Sequence, residues 1–375
     1  MHSASTVLAV IAFSCLLAGL IRAEEGPPAF WKTRLSDIED VLGSVKLGEV
    51  RKIGESYGRR PIYLVSYGEK EPYTRTANFS SAIYSGHPEA FCRRERQARP
   101  VLLIIGPVHG GELEGIASCL NLIKVLETGS DFRGRPWPGI SGSADKLRIV
   151  IVPLANPDGR ARLPFDSFVG KDNETMHKYS QGTRKDGSLY GWPGMQEIHP
   201  MAGDVGILGA CFTDGGVNIY NDCFFRPMAP ETQTLFGLAV DEAPDMIAGL
   251  HSHEMPAEFL QTYLVPERLR KWTAEIQRRY AELMQKRGLP YTPPRETPSD
   301  AFELSEALYH ATGAVSMIFE GPQGIIGMSH EPASCDTILD SHLVMFEFLI
   351  ELGASPGGYM DREGAVRGDW RSGGH

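Results

Sequence analysis

The chain has 375 residues, 42% of them hydrophobic and 22% charged, which excludes a disordered or fibrous protein and permits a large buried core. Its net charge of −10 argues against general binding to nucleic acid or to anionic membranes. The same charge is compatible with any small-molecule or peptide substrate.

In chain order, the first feature is an apolar stretch from Thr6 to Ile21. It is short for a membrane span and suits the apolar region of a secretory signal. Ile21-Arg22-Ala23 offers cleavage after Ala23. The expectation is a signal peptide over residues 1–23, a secreted or periplasmic mature chain, and no stable membrane span in it. The segment ahead of the apolar run has no Lys or Arg, only His2 and the amino group, so an uncleaved anchor is the alternative. The mature chain keeps Cys92, Cys119, Cys211, Cys223 and Cys335. Cys211 and Cys223 flank a short loop and can pair, whereas Cys119 falls in a helical pattern and reads as a buried free thiol. No cysteine spacing resembles a zinc site. Asn78-Phe-Ser80 and Asn173-Glu-Thr175 fit the glycosylation acceptor pattern.

A helix is expected over Trp31 to Leu47, then two short strands between Glu49 and Tyr67. Gly68 to Pro100 is polar and reads as a long irregular connection. Four apolar runs follow along the chain: Val101 to Ile105, Leu147 to Leu154, Met246 to Leu250 and Val315 to Phe319. Runs of this length bounded by Gly, Pro and Asp are buried strands of an α/β sheet. Helices are expected over Glu112 to Leu126, Pro230 to Asp241, Glu267 to Arg287, Phe302 to Ala311 and Cys335 to Leu352. The first of these is apolar on nearly every side and should be buried. Arg160 to Gly216 is long, rich in Gly, Pro and Asp, and expected to line a cleft. The fold class is therefore α/β, a single domain over 28–352 with a mixed central sheet flanked by helices, and a disordered tail over 353–375.

Each of the four runs ends on residues able to do chemistry. They are His109-Gly-Gly-Glu112, Asn156-Pro-Asp-Gly159, His251-Ser-His253 and Glu320. Ligands of such sheets bind at the carboxyl ends of strands, so His109, Glu112, His251 and Glu320 can meet although far apart in sequence. Two histidines and a glutamate with one position left open form a catalytic zinc set. A further carboxylate beside the ion is the usual base for water-driven amide cleavage. The expectation is one Zn2+ held by His109, Glu112 and His251, with Glu320 as catalytic base. Each residue also has a plainer reading. An isolated His-x-x-Glu is often a helix cap, His253 competes with His251, and Glu320 can be half of a salt bridge.

Taken together these segments resemble the zinc metallocarboxypeptidase family, the carboxypeptidase A-like enzymes. Ile53 to Ile62, His109-Gly-Gly-Glu112, Asn156 to Gly159, Leu250-His251-Ser252 and Phe319-Glu320 match its elements in order. The resemblance implies the carboxypeptidase fold over residues 30–350, a peptide substrate, and the metal and base roles just named. It also implies a segment of the form Gly-Val-Asp-x-Asn-Arg-Asn that reads the substrate's terminal carboxylate. Here that segment is Gly216-Val-Asn218-Ile-Tyr220-Asn221-Asp222, so the carboxylate-binding guanidinium is missing. Asn221, Arg226 and Arg184 are the candidate substrate-binding residues, and Tyr309 reads as packing rather than as the family's tyrosine. The water-activating machinery is intact while the machinery for a free C-terminus is altered. A deacylase or amidase on small N-acyl amino acids, or a non-catalytic binding protein on the same fold, are the alternatives. A serine hydrolase is not, because the Gly-x-Ser-x-Gly string at Gly353 to Gly357 lacks a preceding strand.

Overall fold

Seven strands join into one sheet in the computed structural model, which describes residues 26–92, 99–293 and 300–359. The signal segment expected over 1–23 and residues 360–375 lie outside the described residues. The strands are β1 Glu49–Glu55, β2 Pro61–Tyr67, β3 Val101–Ile105, β4 Arg148–Val152, β5 Met246–His253, β6 Glu258–Gln261 and β7 Val315–Pro322. Their order is β1-β2-β4-β3-β5-β7-β6. The central β4, β3, β5 and β7 run parallel, while β1, β2 and β6 are antiparallel to their neighbours. The sheet is thus mixed, as expected. The helices used below are α1 Leu35–Gly43, α2 Phe79–Tyr84, α3 Leu113–Thr128, α4 Pro157–Arg162, α5 Pro230–Glu242, α6 Glu267–Arg287, α7 Leu304–Thr312 and α8 Cys335–Ala354.

The period of two along each strand divides the interior into two cores. In β3, Leu102 and Ile104 join the core that also holds Leu120 of α3 and Leu343 of α8. Val101, Leu103 and Ile105 join the other core, with Leu235 of α5 and Leu308 of α7. In β4, Ile149 and Ile151 go one way and Val150 and Val152 the other. Both faces are covered, which is why these strands read as unbroken apolar runs rather than as alternating ones. Each fully buried aliphatic side chain contributes about 1.5–3 kcal/mol relative to exposure. In β7, Val315, Met317 and Phe319 take the α3/α8 face and Ile318 the α5/α7 face. By the same period, His251 and Glu320 share the α5/α7 face with Ile247 and Ile318.

The third and fourth apolar runs continue further than their composition suggested. β5 extends through His253 and β7 through Pro322, because each pairs with the other and β6 closes the edge beyond, with Glu258 opposite Glu320. β6 carries no apolar run and was not anticipated. The first helix is shorter than expected. The Asp37 carboxylate accepts from the backbone N–H groups of Thr33 and Arg34 and starts the helix at Leu35, while Trp31 is buried ahead of it. The connection after β2 is partly ordered: Phe79 of α2 is buried edge-on against Tyr309 at 5.9 Å, which gives Tyr309 its packing role. α8 runs to Ala354, past the expected start of the tail at 353. Tyr359 is buried behind it, its hydroxyl donating to Leu349 O at 3.0 Å and its carbonyl accepting from the Trp272 indole at 2.8 Å.

The proposed Cys211–Cys223 disulfide is absent, and both are free thiols. Cys211 belongs to a small cluster with Met195, Met201 and Phe212, whereas Cys223 packs on the α5/α7 core. Each sulfur has its own apolar surroundings. Cys119 is a buried free thiol, as expected. No described helix is long and apolar enough to cross a membrane.

Candidate metal centre

The loop between β3 and α3 brings His109 and Glu112 to the end of the sheet, and β5 brings His251. All three are buried, and one ligand atom from each lies within 4.8 Å of the others. His109 Nδ1 is 2.8 Å from Glu112 Oε1, and His251 Nδ1 is 3.3 Å from Glu112 Oε2. The two imidazoles meet edge-on with centroids 4.9 Å apart. Position rather than face brings His251, and not His253, into the cluster. The two share a face of β5, but His253 lies at the strand end and its Nε2 faces Pro256 O at 3.1 Å.

The Asn156 to Gly159 turn is the scaffold for this loop. The Asn156 amide donates to Val108 O at 3.0 Å and accepts from Gly159 N at 2.9 Å. Asp158 is buried and accepts from Ser56 Oγ and the backbone N–H groups of Gly58 and Asp214. Burial alone would raise its carboxyl, yet these donors and Arg60 hold it below the ordinary range. The glycine after the first histidine exists because of this contact. A Cβ on Gly110 would stand 2.4 Å from Arg160 N and 2.6 Å from Asn156 O, both backbone atoms that cannot step aside. Gly110→Ala is therefore expected to destabilise the fold by about 1–3 kcal/mol, measured by denaturant unfolding. An unchanged midpoint would show that the two loops do not touch as described.

The electrostatics of the cluster suit a cation. Burial opposes ionisation of Glu112, but His109 and His251 outweigh it and hold its carboxyl below the usual range. Burial opposes the charge on His109 as well, and Glu112 outweighs it, raising the imidazole. Glu112 Oε2 is buried and accepts no hydrogen bond. A buried carboxylate oxygen without a donor is costly unless a positive charge faces it. Two imidazole nitrogens and this oxygen are the donor set of zinc rather than of calcium or magnesium.

Glu320 sits beside His251, its register partner on the adjacent parallel strand, and is half-buried. Desolvation pushes its carboxyl up to about 8, with His251 opposing and the carboxylates of Glu112, Glu258 and Glu254 adding to the rise. Tyr220 closes the other side. Its ring lies edge-on to His251 at 4.9 Å and to His109 at 5.8 Å, and its hydroxyl donates to Glu303. Burial raises the Glu303 carboxyl, against the Tyr220 hydroxyl bond. Glu303 was not anticipated; the signal was the Glu303/Glu306 capping pair at the start of α7, which reads as helix chemistry and not as site chemistry.

Of the remaining candidates, Asn221 is tied into the cluster. Its Oδ1 accepts from Asn218 Nδ2 and from Gln196 Nε2, both at 3.1 Å. Arg184 donates to Leu189 O at 2.8 Å and stacks 4.5 Å over the Tyr190 ring, contacts within its own loop. Arg226 is exposed. Nearer the ligand loop is Ser180, whose Oγ would lie 2.9 Å from a Cβ on Gly111 and is buried without a hydrogen-bond partner.

Comparison with known proteins bears on this arrangement. The sequence pattern of the family described as zinc carboxypeptidase matches residues 45–176, which include His109 and Glu112. No curated protein matches the chain. In fold the chain is similar to a metallo-carboxypeptidase from Burkholderia cenocepacia, at 15% identity and TM-score 0.55, covering 84% of this chain and 68% of that one. It is also similar to a putative carboxypeptidase from Burkholderia mallei, at 16% identity and TM-score 0.54, covering 84% and 67%. Carboxypeptidase A from Helicoverpa armigera matches at 12% identity and TM-score 0.52, covering 93% and 80%. The chain thus carries the zinc carboxypeptidase sequence pattern over residues 45–176 and is similar in fold to carboxypeptidases over most of its length.

Proposed function

We propose that the chain is a zinc-dependent hydrolase of peptide or amide bonds. The observation that carries this reading is the buried His109–Glu112–His251 cluster with Glu320 in register beside His251. His109 and His251 each offer one ring nitrogen, and Glu112 supplies the negative charge. Zinc held by His109, Glu112 and His251 would supply Lewis acidity toward the scissile carbonyl and toward water near neutral pH. Glu320 takes the proton from the attacking water and returns it to the leaving nitrogen. Burial of the ligands keeps bulk water from competing and strengthens each electrostatic contact. We further propose that the apolar stretch from Thr6 to Ile21 belongs to a signal peptide over 1–23 and that the activity lies outside the cytoplasm.

The substrate end of the site supports a departure from simple removal of C-terminal residues. Tyr220 and Asn221 stand where the carboxylate-reading pair is expected, and Tyr220 directs its hydroxyl to a carboxylate, Glu303. After burial, the groups acting most strongly on Glu303 are Tyr220, another carboxylate and the two histidines, with no guanidinium among them. A free-acid dipeptide and its C-terminal amide are therefore expected to be cleaved with kcat/KM values within ~10-fold of each other. A site built around a buried hydrogen-bonding fork would separate them by ~10⁴-fold. Steady-state kinetics on the matched pair decides, and a 100-fold or larger preference for the free acid would refute the departure.

A further inference from the structure

Both ring nitrogens of His109 face oxygen. Nδ1 is 2.8 Å from Glu112 Oε1 and Nε2 is 3.1 Å from Asn218 Oδ1. An imidazole between two acceptors must carry a proton on each nitrogen or exchange one proton for a cation. Which nitrogen is free to hold a metal depends on Asn218.

The orientation of the Asn218 amide is fixed from two sides. The residue is buried and begins a short turn at Ile219–Asn221. Its Oδ1 accepts from the backbone N–H of Tyr220 at 3.1 Å. Its Nδ2 donates to Asn221 Oδ1 at 3.1 Å, an oxygen also held by Gln196 Nε2 at 3.1 Å. Reversing the amide would set N–H against N–H at Tyr220 and oxygen against oxygen at Asn221. The oxygen therefore faces the imidazole, and only a protonated Nε2 can bond to it. That leaves the Nδ1 lone pair directed at the Glu112 side, where His251 Nδ1 also points.

Asn218 differs from a carboxylate of the same shape in one respect. It accepts the same hydrogen bond and brings no charge. Partners behind a metal-bound histidine fix its tautomer and its donor strength, and altering one changes metal affinity by ~10–100-fold. We propose that Asn218 is the positioning residue for His109: it locks the Nε2–H tautomer and, being neutral, leaves more of the positive charge on a bound zinc ion than an aspartate there would. The inference rests on the metal-centre reading above and deepens it, by assigning to a neutral amide the setting of how tightly the ion is held.

The test is the zinc affinity of the purified full chain, by competition with a chromophoric chelator, for the wild type, Asn218→Asp and Asn218→Ala. Thermal unfolding of each in excess chelator gives the stability of the metal-free fold. Asn218→Asp is expected to bind zinc ~10-fold more tightly, and Asn218→Ala ~10–100-fold more weakly. The nitrogen resonances of ¹⁵N-histidine in the zinc-loaded wild type should show a protonated Nε2 and a metal-bound Nδ1 for His109. A merely structural role predicts that both variants weaken zinc binding in step with their loss of metal-free stability. That result, or equal affinity in all three proteins, overturns the proposal. If Asn218→Ala fails to fold, Asn218→Asp against wild type decides alone: tighter binding supports the proposal, and equal or weaker binding overturns it. A wild type that takes up no zinc overturns the metal-centre reading itself, and this inference with it.

Discussion

Replacing Glu320 by glutamine is expected to lower kcat/KM by ~10²–10⁴-fold, the usual contribution of a positioned general base, while zinc binds at wild-type stoichiometry. The reason lies in what the side chain does and does not touch. Glu320 is in register with His251 on the neighbouring strand, yet the residues that converge as a ligand set are His109, Glu112 and His251. Glutamine preserves the shape and the β7 pairing with Glu258 and removes only the capacity to take a proton. A pH profile adds a second check. Desolvation, opposed by His251 and reinforced by neighbouring carboxylates, pushes the Glu320 carboxyl up to about 8. The base works only when ionised, so activity falls as pH drops through its pKa. A bound dication draws that pKa back down. The acid limb of kcat/KM is therefore expected above ~4.3, the ordinary glutamate value, and below the metal-free position. Near-normal activity in Glu320→Gln would remove Glu320 from the mechanism.

Replacing His251 by alanine is expected to abolish both zinc retention and hydrolysis. The loss should exceed the ~10–100-fold effect of altering a partner that merely supports a ligand. Its physical basis is the shared carboxylate: Glu112 places one oxygen at His109 and the other at His251. Removing either imidazole leaves a buried oxygen with nothing to face. The consequence is readable without any substrate. Zinc at a thousandfold excess over its Kd should stabilise the wild type by about 4 kcal/mol, seen as a raised unfolding midpoint. His251→Ala should show little or no such rise. An equal rise in both proteins would place the ion elsewhere.

The central sheet, and the residues that gather at its end, are legible in the sequence for the same reason. Strands buried on both faces have few polar positions, so Val101 to Ile105 and Ile149 to Val152 stand out as unbroken apolar runs. Charged and imidazole groups at their ends are then conspicuous. What depends on distant partners was not legible. β6 forms because β7 offers an edge, not because Glu258 to Gln261 prefers extension. Glu303 enters the site through the Tyr220 hydroxyl, which lies on a loop far away in sequence. Nearness along the chain was also a poor guide to the Cys211–Cys223 pairing, since the two sulfurs drain into different apolar clusters. Arg184 is a cation of the long loop by sequence, but its contacts with Leu189 and Tyr190 keep it within that loop.

The most direct test of the account is an anomalous-difference map at the zinc absorption edge, from crystals of the full chain grown with zinc. The account predicts one strong peak about 2.0–2.2 Å from His109 Nδ1, His251 Nδ1 and a Glu112 carboxylate oxygen, with Glu320 outside bonding reach. A map with no peak between these three side chains, or with its peak at another group of residues, would contradict it.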